Sequence, residues 1–279
     1  MTSNTLTSND RHSTWQVGDV TLTSRFLLGT AGYPSPAVLE QALRASGAQV
    51  VTVGLKRTLA GAAGDNGFVA AIRRVLADTG ARLLPNTAGC RSAHEAIQLA
   101  HMARELYGTP WVKLEVVGDE HTLQPDPFAL LAAATQLVRD GFTVFPYCTD
   151  DLVLCRRLLD AGCPLLMPWG APIGSGQGLL NPFALRTLRE RLPDTVLIID
   201  AGIGAPSHAA QALEMGFDAV LLNSAVAQAR EPVRMAAAFR QAIAAGRAAW
   251  QAGVMARQDF AVPSTPVLGH PFLLPEAIG

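Results

Sequence analysis

A lysine and a glutamate stand at alternate positions of an otherwise apolar stretch, WVKLEVVG at residues 111–118. Alternate residues of a β-strand point to the same face, so Lys113 and Glu115 are expected on one side, about 6 to 7 Å apart along the strand. An unpaired buried charge costs several kcal/mol. The two side chains must therefore either pair with each other or face a substrate.

A lysine in an enclosed site is a candidate Schiff-base nucleophile. Burial lowers the pKa of a lysine from about 10.4 toward the range in which the neutral amine is populated. An ionised Glu115 opposes this, because it favours the ammonium form. A neutral Glu115, or one placed nearer the substrate carbon, acts instead as a proton shuttle. The residues alone leave both hypotheses open, a structural ion pair and a catalytic pair.

Eight short apolar runs, each followed by a segment of helical periodicity, recur along the chain. They are residues 26–30, 50–55, 82–87, 111–117, 143–148, 165–170, 196–202 and 219–226. Nearly all are apolar on both faces, as in a parallel sheet covered by helices. Eight such units in a chain of 279 residues predict an α/β protein with a single (β/α)₈ TIM barrel, and an open doubly wound sheet is the alternative.

The composition of the two ends sets the predicted boundaries of the barrel. Residues 1–14 are rich in Ser, Thr and Asn and are expected to form a disordered tail. The barrel is placed at residues 15–257 and a C-terminal tail at 258–279. The segment QVGDVTLTSR at residues 16–25 predicts a small hairpin over one end of the barrel. Signals for helix starts come from candidate N-caps at Ser92, Asp126, and one of Asp150 and Asp151.

Catalytic residues of this fold lie at the carboxyl ends of the strands, and three of the loops there carry a pattern typical of anion binding. The loops are WGAPIGSGQG at 169–178, AGIGAPS at 201–207 and NSAV at 223–226. Backbone N–H groups in glycine-rich turns approach an anion closely, which predicts a small phosphorylated substrate. The alternative is that these glycines only allow tight turns between strands and helices and bind no ligand. The candidate contacts are Gly174, Gly202, Asn223 and Ser224. Asp200, which ends VLIID, is either a catalytic carboxylate or a cap for its loop.

Composition excludes several classes of partner. A net charge of −1 gives no basic surface for nucleic acid. The four cysteines lack metal-ligand spacing, so buried thiols and no metal site are expected. No apolar run reaches the about 18 residues of a membrane span, and the first 14 residues lack the core of a signal peptide. We expect a soluble, cytoplasmic protein without a membrane partner.

Four motifs in a fixed order carry a resemblance to a known family. PNTAG, the K-x-E strand, PIGSG-x-G and DAGIG-x-P occur in a chain that resembles bacterial thiazole synthases from SRFLLGTAGYPS to PVRMAAAFRQAIAAGR. The resemblance implies a transferase that makes the thiazole phosphate half of thiamine. Its expected substrates are 1-deoxy-D-xylulose 5-phosphate, dehydroglycine (2-iminoacetate) and the C-terminal thiocarboxylate of a sulfur-carrier protein, with no metal or bound cofactor.

The resemblance also implies roles for individual residues. Lys113 matches the Schiff-base lysine, and Glu115 and Asp200 match the acid/base carboxylates. The positions that match sugar-phosphate contacts are Gly174, Ala201, Gly202, Asn223 and Ser224. An enzyme that produces dehydroglycine is a further candidate partner, and a homo-oligomer is expected.

Two other functions share parts of this pattern. Another Schiff-base barrel acting on a sugar phosphate, such as an aldolase or a pyridoxal phosphate synthase subunit, shares Lys113 and the phosphate loops but needs no sulfur donor. A catalytically silent phosphate-binding barrel keeps the glycine loops, while Lys113 only pairs with Glu115.

Overall fold

Eight parallel strands close into one barrel in this computed structural model, which describes residues 14–56 and 67–264. The barrel strands are β3 (Phe26–Gly29), β4 (Val50–Gly54), β5 (Arg82–Asn86), β6 (Trp111–Leu114), β7 (Thr143–Cys148), β8 (Leu165–Pro168), β9 (Val196–Asp200) and β10 (Ala219–Leu222). Each pairs with its neighbours in the chain, and β10 closes the ring against β3. The predicted (β/α)₈ TIM barrel is confirmed.

Helices pack around the barrel. They are α1 (Pro36–Ser46), α2 (Phe68–Thr79), α3 (Ala93–Tyr107), α4 (Pro127–Arg139), α5 (Leu152–Asp160), α6 (Pro182–Arg191), α7 (Pro206–Glu214), α8 (Ser224–Ala227) and α9 (Pro232–Ala252). The side chains of Ser92 and Asp126 accept hydrogen bonds from the first turns of α3 and α4, as predicted. Of the two candidates for α5, Asp151 is the N-cap.

A hairpin closes the amino end of the barrel. Strands β1 (Trp15–Val17) and β2 (Val20–Leu22) pair antiparallel, and the Trp15 indole N–H donates to the Ser24 carbonyl at 2.9 Å. The buried side chains of the hairpin pack on residues inside the barrel, namely Leu27, Val50, Leu84, Trp111, Phe145, Leu165, Met167, Ile198, Ala219 and Leu221. The predicted hairpin is confirmed, and this apolar layer fills the amino end of the barrel.

The last predicted strand was wrong at its end. The run 219–226 continues as strand only to Leu222, because Asn223 leaves the β-region (φ −143°, ψ −62°). Its carbonyl accepts hydrogen bonds from the backbone N–H groups of Val226 and Ala227, both at 3.0 Å, which starts α8. An apolar run with a polar interruption does not reveal this change of conformation.

The ends of the chain extend beyond the described residues. The predicted N-terminal tail lies outside them except for Thr14, as does the C-terminal tail from residue 265. Residues 253–264 are exposed and form no helix or strand. The division into a barrel and two tails stays a prediction. No helix in the described ranges has the length and apolar character needed to cross a membrane.

All four cysteines are buried and unpaired, as expected. Within the described part of the chain, no three His, Cys, Asp or Glu side chains come together as metal ligands.

Candidate active site

Three charged side chains meet inside the barrel at the carboxyl ends of the strands. The Lys113 ammonium nitrogen lies 2.9 Å from Glu115 Oε1 and 2.7 Å from Asp200 Oδ2. Lys113 and Glu115 are 5% exposed and Asp200 is 1% exposed. Lys113 in β6 and Glu115, the residue after β6, therefore do lie on one face, and Asp200 reaches the same point from β9.

Thr87, which directly follows the neighbouring strand β5, holds the end of β6 and the residue after it. The buried Thr87 hydroxyl donates to the Glu115 carbonyl and accepts from the Glu115 N–H, both at 2.8 Å. The Thr87 N–H donates to the Lys113 carbonyl at 3.1 Å. These bonds replace the strand ladder after Leu114, so the strand is shorter than the predicted 111–117 and Glu115 keeps a defined position beyond its end.

Burial and charge act in opposite directions on the lysine. Burial lowers the pKa of Lys113, but Asp200 and Glu115 raise it by more, so the net pKa lies above the usual value. The resting group is therefore an ammonium ion.

The pKa of Asp200 is raised to about 6. Burial is the main cause and repulsion from Glu115 adds to it, while the Lys113 charge works against both. Asp200 is thus a carboxylate that accepts a proton more readily than an ordinary aspartate.

Tyr147, on β7, is a neighbour that the sequence did not single out. Its ring centroid lies 5.6 Å from the Lys113 nitrogen, within the range of a cation–π contact. Its hydroxyl is buried and has no hydrogen-bond partner among the described residues. Burial first, and then the charges of Asp200 and Glu115, raise the pKa of Tyr147, so the phenol stays neutral.

A cavity of about 720 Å³ opens beside the three charged groups. Its volume falls in the range of small-molecule sites, about 300 to 1,000 Å³. All five candidate substrate contacts line it together with the charged groups: Gly174, Ala201, Gly202, Asn223 and Ser224. The structure therefore brings every predicted site residue to one place, although the role of each stays a prediction.

The turn after β9 has a conformation that few residues tolerate. Ala201 and Gly202 both have positive φ, 70° and 76°. A Cβ on Gly202 would lie 2.3 Å from the backbone nitrogen of Ala171, so only glycine fits this close approach between two loops. Two further bonds, from Gly170 N–H to the Ala201 carbonyl and from Gly178 N–H to the Gly202 carbonyl, join the same loops. The glycine-rich segments thus form one structure around the cavity.

Asn223 lines the cavity just after β10, the strand next to β9. Its side-chain amide donates to the Ala31 carbonyl at 2.9 Å, and its Oδ1 is buried with no hydrogen-bond partner among the described residues. The side chain packs against Gly29, where a Cβ would lie 2.6 Å from the Asn223 Cβ. A fixed side chain with a free acceptor is suited to bind a hydroxyl or N–H group of a ligand.

Several lining residues were missed. Asn86 and Gly54 line the cavity, and Asn86 pairs with both Gly54 and Lys113 in the barrel register. The sequence could have indicated Asn86, because it belongs to the PNTAG motif at the end of a strand, where site residues of this fold lie. Thr87, in the same motif, acts through its backbone contacts, which no sequence pattern predicts.

Comparison with known proteins agrees with this geometry. The sequence profile described as "Thiazole biosynthesis protein ThiG" matches residues 16–266. A thiazole synthase of Bradyrhizobium sp. (strain ORS 278) is 58% identical over 254 residues, which cover 91% of this chain and 96% of the relative. A thiazole synthase of Coxiella burnetii (strain RSA 331 / Henzerling II) is 56% identical over 260 residues, 93% of this chain and 98% of the relative.

A solved structure shows the same fold at moderate identity. The Amycolatopsis orientalis BexX/CysO complex contains a chain that superposes with a TM-score of 0.76 and 31% identity, covering 87% of this chain and 97% of that one. The 3-hexulose-6-phosphate synthase of Salmonella typhimurium, at 15% identity and a TM-score of 0.54 over 79% of this chain and 98% of its own, shares the fold alone. From the matched profile and the curated relatives, the chain belongs to the thiazole synthase family, the enzymes that form the thiazole unit in thiamine biosynthesis.

Proposed function

We propose that the protein makes thiazole phosphate carboxylate from 1-deoxy-D-xylulose 5-phosphate, dehydroglycine (2-iminoacetate) and the thiocarboxylate of a sulfur-carrier protein, through a Schiff base on Lys113. One observation carries this proposal: a buried lysine lies between two carboxylates beside a cavity lined by glycine-rich turns. Membership of the family supports the overall reaction.

The first step requires a neutral amine. Asp200 is the proposed proton acceptor, since it lies 2.7 Å from the Lys113 nitrogen and its pKa is raised to about 6. The free amine then attacks the C2 ketone of the sugar phosphate, and loss of water leaves an imine. When protonated, this imine carries the same positive charge between the carboxylates that the ammonium carried before.

The next steps use the imine to draw electrons from the sugar. The protonated imine makes the C3 hydrogen acidic, and Glu115 or Asp200 removes it, so the carbonyl moves to C3. The thiocarboxylate sulfur adds at C3 and replaces the carbonyl oxygen, which leaves with the carrier as its C-terminal carboxylate. The dehydroglycine nitrogen then displaces Lys113 from C2, the sulfur adds to the imine carbon of dehydroglycine to close the ring, and water is lost. An arginine could not replace Lys113, because its guanidinium is always charged and is not a nucleophile.

The phosphate group is proposed to bind at the glycine-rich wall. Gly174 and Gly202 have positive φ, and Ser224 begins the short helix α8 after the last strand. Phosphate sites in this fold are frequently built from these same loops and a short additional helix. The phosphate end thereby fixes the sugar so that its ketone lies near Lys113.

The sulfur donor is proposed to reach the same cavity from outside. The structural neighbour BexX is bound to a second protein, CysO, which supports a protein partner for this chain as well. The homo-oligomer and the contact with a dehydroglycine-producing enzyme stay predictions from the sequence.

Borohydride trapping tests the proposal. Protein incubated with 1-deoxy-D-xylulose 5-phosphate and borohydride should gain the sugar mass, less water and plus two hydrogens, on the peptide that contains Lys113. Lys113→Arg should fold and lose the adduct. Lys56→Arg is the matched control, because Lys56 is half-exposed and bonded to Glu95, and it should keep the adduct. An adduct on Lys56, or full activity of Lys113→Arg, would overturn the mechanism.

A further inference from the structure

A second cavity lies at the other end of the barrel, away from the proposed catalytic site. It has a volume of about 550 Å³ and is located between the start of β3, the end of α1 and the second half of α9. Three arginines line it, Arg25, Arg240 and Arg247. The proposed mechanism does not use this cavity.

The positive charge in this cavity is only partly neutralised. The nearby carboxylate, Asp218, lies 3.1 Å from Arg189 and 4.0 Å from Arg25, and it also accepts from the Leu197 N–H. Among the described residues, Arg240 and Arg247 have no carboxylate within 4.0 Å. Asp218 attracts both Arg25 and Arg247, but one carboxylate does not balance the charge of Arg189 and of the three arginines of the cavity, so an additional bound anion is favoured.

Two of the arginines are held in fixed positions. Arg25 is 6% exposed, and its guanidinium donates to the carbonyls of Asp218 at 2.7 Å and Thr14 at 3.4 Å. The Arg247 guanidinium lies over the Trp250 ring, with its central carbon 4.1 Å from the ring centroid, and this contact occupies the face of the guanidinium and not its N–H edges. The Arg247 Nε is fully buried and has no hydrogen-bond partner among the described residues.

The pKa values of Arg25 and Arg247 also favour an anion bound in this cavity. Burial lowers the pKa of Arg25 to about 10, and repulsion from Arg247 contributes to the decrease. Burial also lowers the pKa of Arg247. Both groups remain cations at neutral pH, and a bound anion would remove the repulsion between them.

The remaining walls define the kind of ligand. Phe26, Ile243, Ala244 and Ala248 supply apolar surface, and Thr23 and Ser24 supply polar backbone and hydroxyl groups. We propose that this cavity is a second anion-binding site that takes a small phosphate ester, with its phosphate on Arg240 and Arg247 and its organic part against the apolar wall. Bidentate contacts make arginine well suited to bind phosphate.

The test must separate this site from the catalytic one, which is also proposed to bind phosphate. Calorimetric titration of the full-length protein with inorganic phosphate and with phenyl phosphate should show two classes of site. Ser224→Asp places a negative charge in the catalytic cavity and should remove one class. In the Ser224→Asp background, Arg240→Met with Arg247→Met should weaken the remaining class at least tenfold, while both long apolar stems keep their packing.

A matched control removes the same charge elsewhere. Arg186→Met with Arg234→Met changes two exposed arginines that do not line the cavity, and it should leave the second class unchanged. Thermal unfolding in phosphate-free buffer should show that all variants fold. Phenyl phosphate should bind the second site more tightly than inorganic phosphate, because of the apolar wall.

The outcomes are distinguishable. Binding that disappears entirely in Ser224→Asp, or a second class that persists in Arg240→Met with Arg247→Met, overturns this proposal. Two classes of site that both survive Ser224→Asp contradict the catalytic phosphate position alone and leave the second site standing.

Discussion

Replacing Asp200 by asparagine should make the protein more stable at neutral pH while it impairs catalysis. The reason lies in the position of this carboxylate, which is 1% exposed and lies beside a second carboxylate, Glu115. Burial and this repulsion raise the pKa of Asp200 from 3.8 to about 6 despite the nearby Lys113. The folded protein therefore holds an ionised group in a place that disfavours ionisation.

The direction of the pH dependence follows from linkage. A carboxyl group whose pKa is higher in the folded than in the unfolded chain binds its proton more tightly when folded. The free energy of unfolding therefore falls as the pH rises from about 4 to about 6, and this loss stays constant at higher pH. A shift of about two units, at about 1.36 kcal/mol per unit, corresponds to about 3 kcal/mol. Asparagine has the same shape as aspartate without the charge. Asp200→Asn should therefore raise the free energy of unfolding by about 1 to 3 kcal/mol at pH 8 and leave it almost unchanged near pH 4.

Urea unfolding followed by circular dichroism between about pH 4 and pH 8 measures this difference. Asp194→Asn is the control, since Asp194 is exposed and its replacement should change the free energy of unfolding by less than about 0.5 kcal/mol at every pH. A variant at Asp200 that is less stable than the wild type at pH 8, or that differs from it by the same amount at all pH values, would refute the reasoning.

Three further predictions test other parts of the structure. Lys113→Met should cost about 3 to 5 kcal/mol of unfolding free energy in urea, because it leaves two buried carboxylates without a cation, whereas Lys56→Met, at an exposed ion pair, should cost less than about 1 kcal/mol. Gly202→Ala should raise the KM for the sugar phosphate in steady-state kinetics, because its Cβ would lie 2.3 Å from the Ala171 nitrogen; an unchanged KM would speak against a role of this turn in binding. Trp15→Ala should lower the free energy of unfolding by about 3 to 5 kcal/mol and leave kcat unchanged at temperatures where the variant is folded, since Trp15 packs at the end of the barrel away from the cavity.

The sequence predicted the fold well because its signals are periodic and local. Eight apolar runs, each followed by a helical segment, are sufficient for the barrel, and Ser92 and Asp126 marked helix starts by their side-chain chemistry. The pair Lys113 and Glu115 was visible because a strand has a period of two. Their placement on one face required no knowledge of the rest of the chain.

Features that depend on closure of the barrel were not predictable in the same way. The 2.7 Å contact between Lys113 and Asp200 joins β6 and β9, two strands that are not neighbours, and it follows from the stagger of the whole ring. In the sequence, Tyr147 is an aromatic residue in an apolar strand, and nothing distinguishes it from a residue of the core. The positive φ of Ala201 has no signal either, since alanine is not a residue that marks a left-handed turn.

The hairpin at the amino end has a consequence for the order of events in the proposed reaction. Trp15, Val17 and Leu22 are buried in the apolar layer that fills the amino end of the barrel, whereas the cavity beside Lys113 is lined by residues at the carboxyl ends of the strands. We therefore expect the reactants and the product of the proposed reaction to use the carboxyl end. A carrier protein docked there would cover the cavity, so the sugar phosphate is expected to bind first and the product to leave after the carrier has withdrawn. We predict that an inert carrier bound at this end traps the sugar phosphate inside and slows its release.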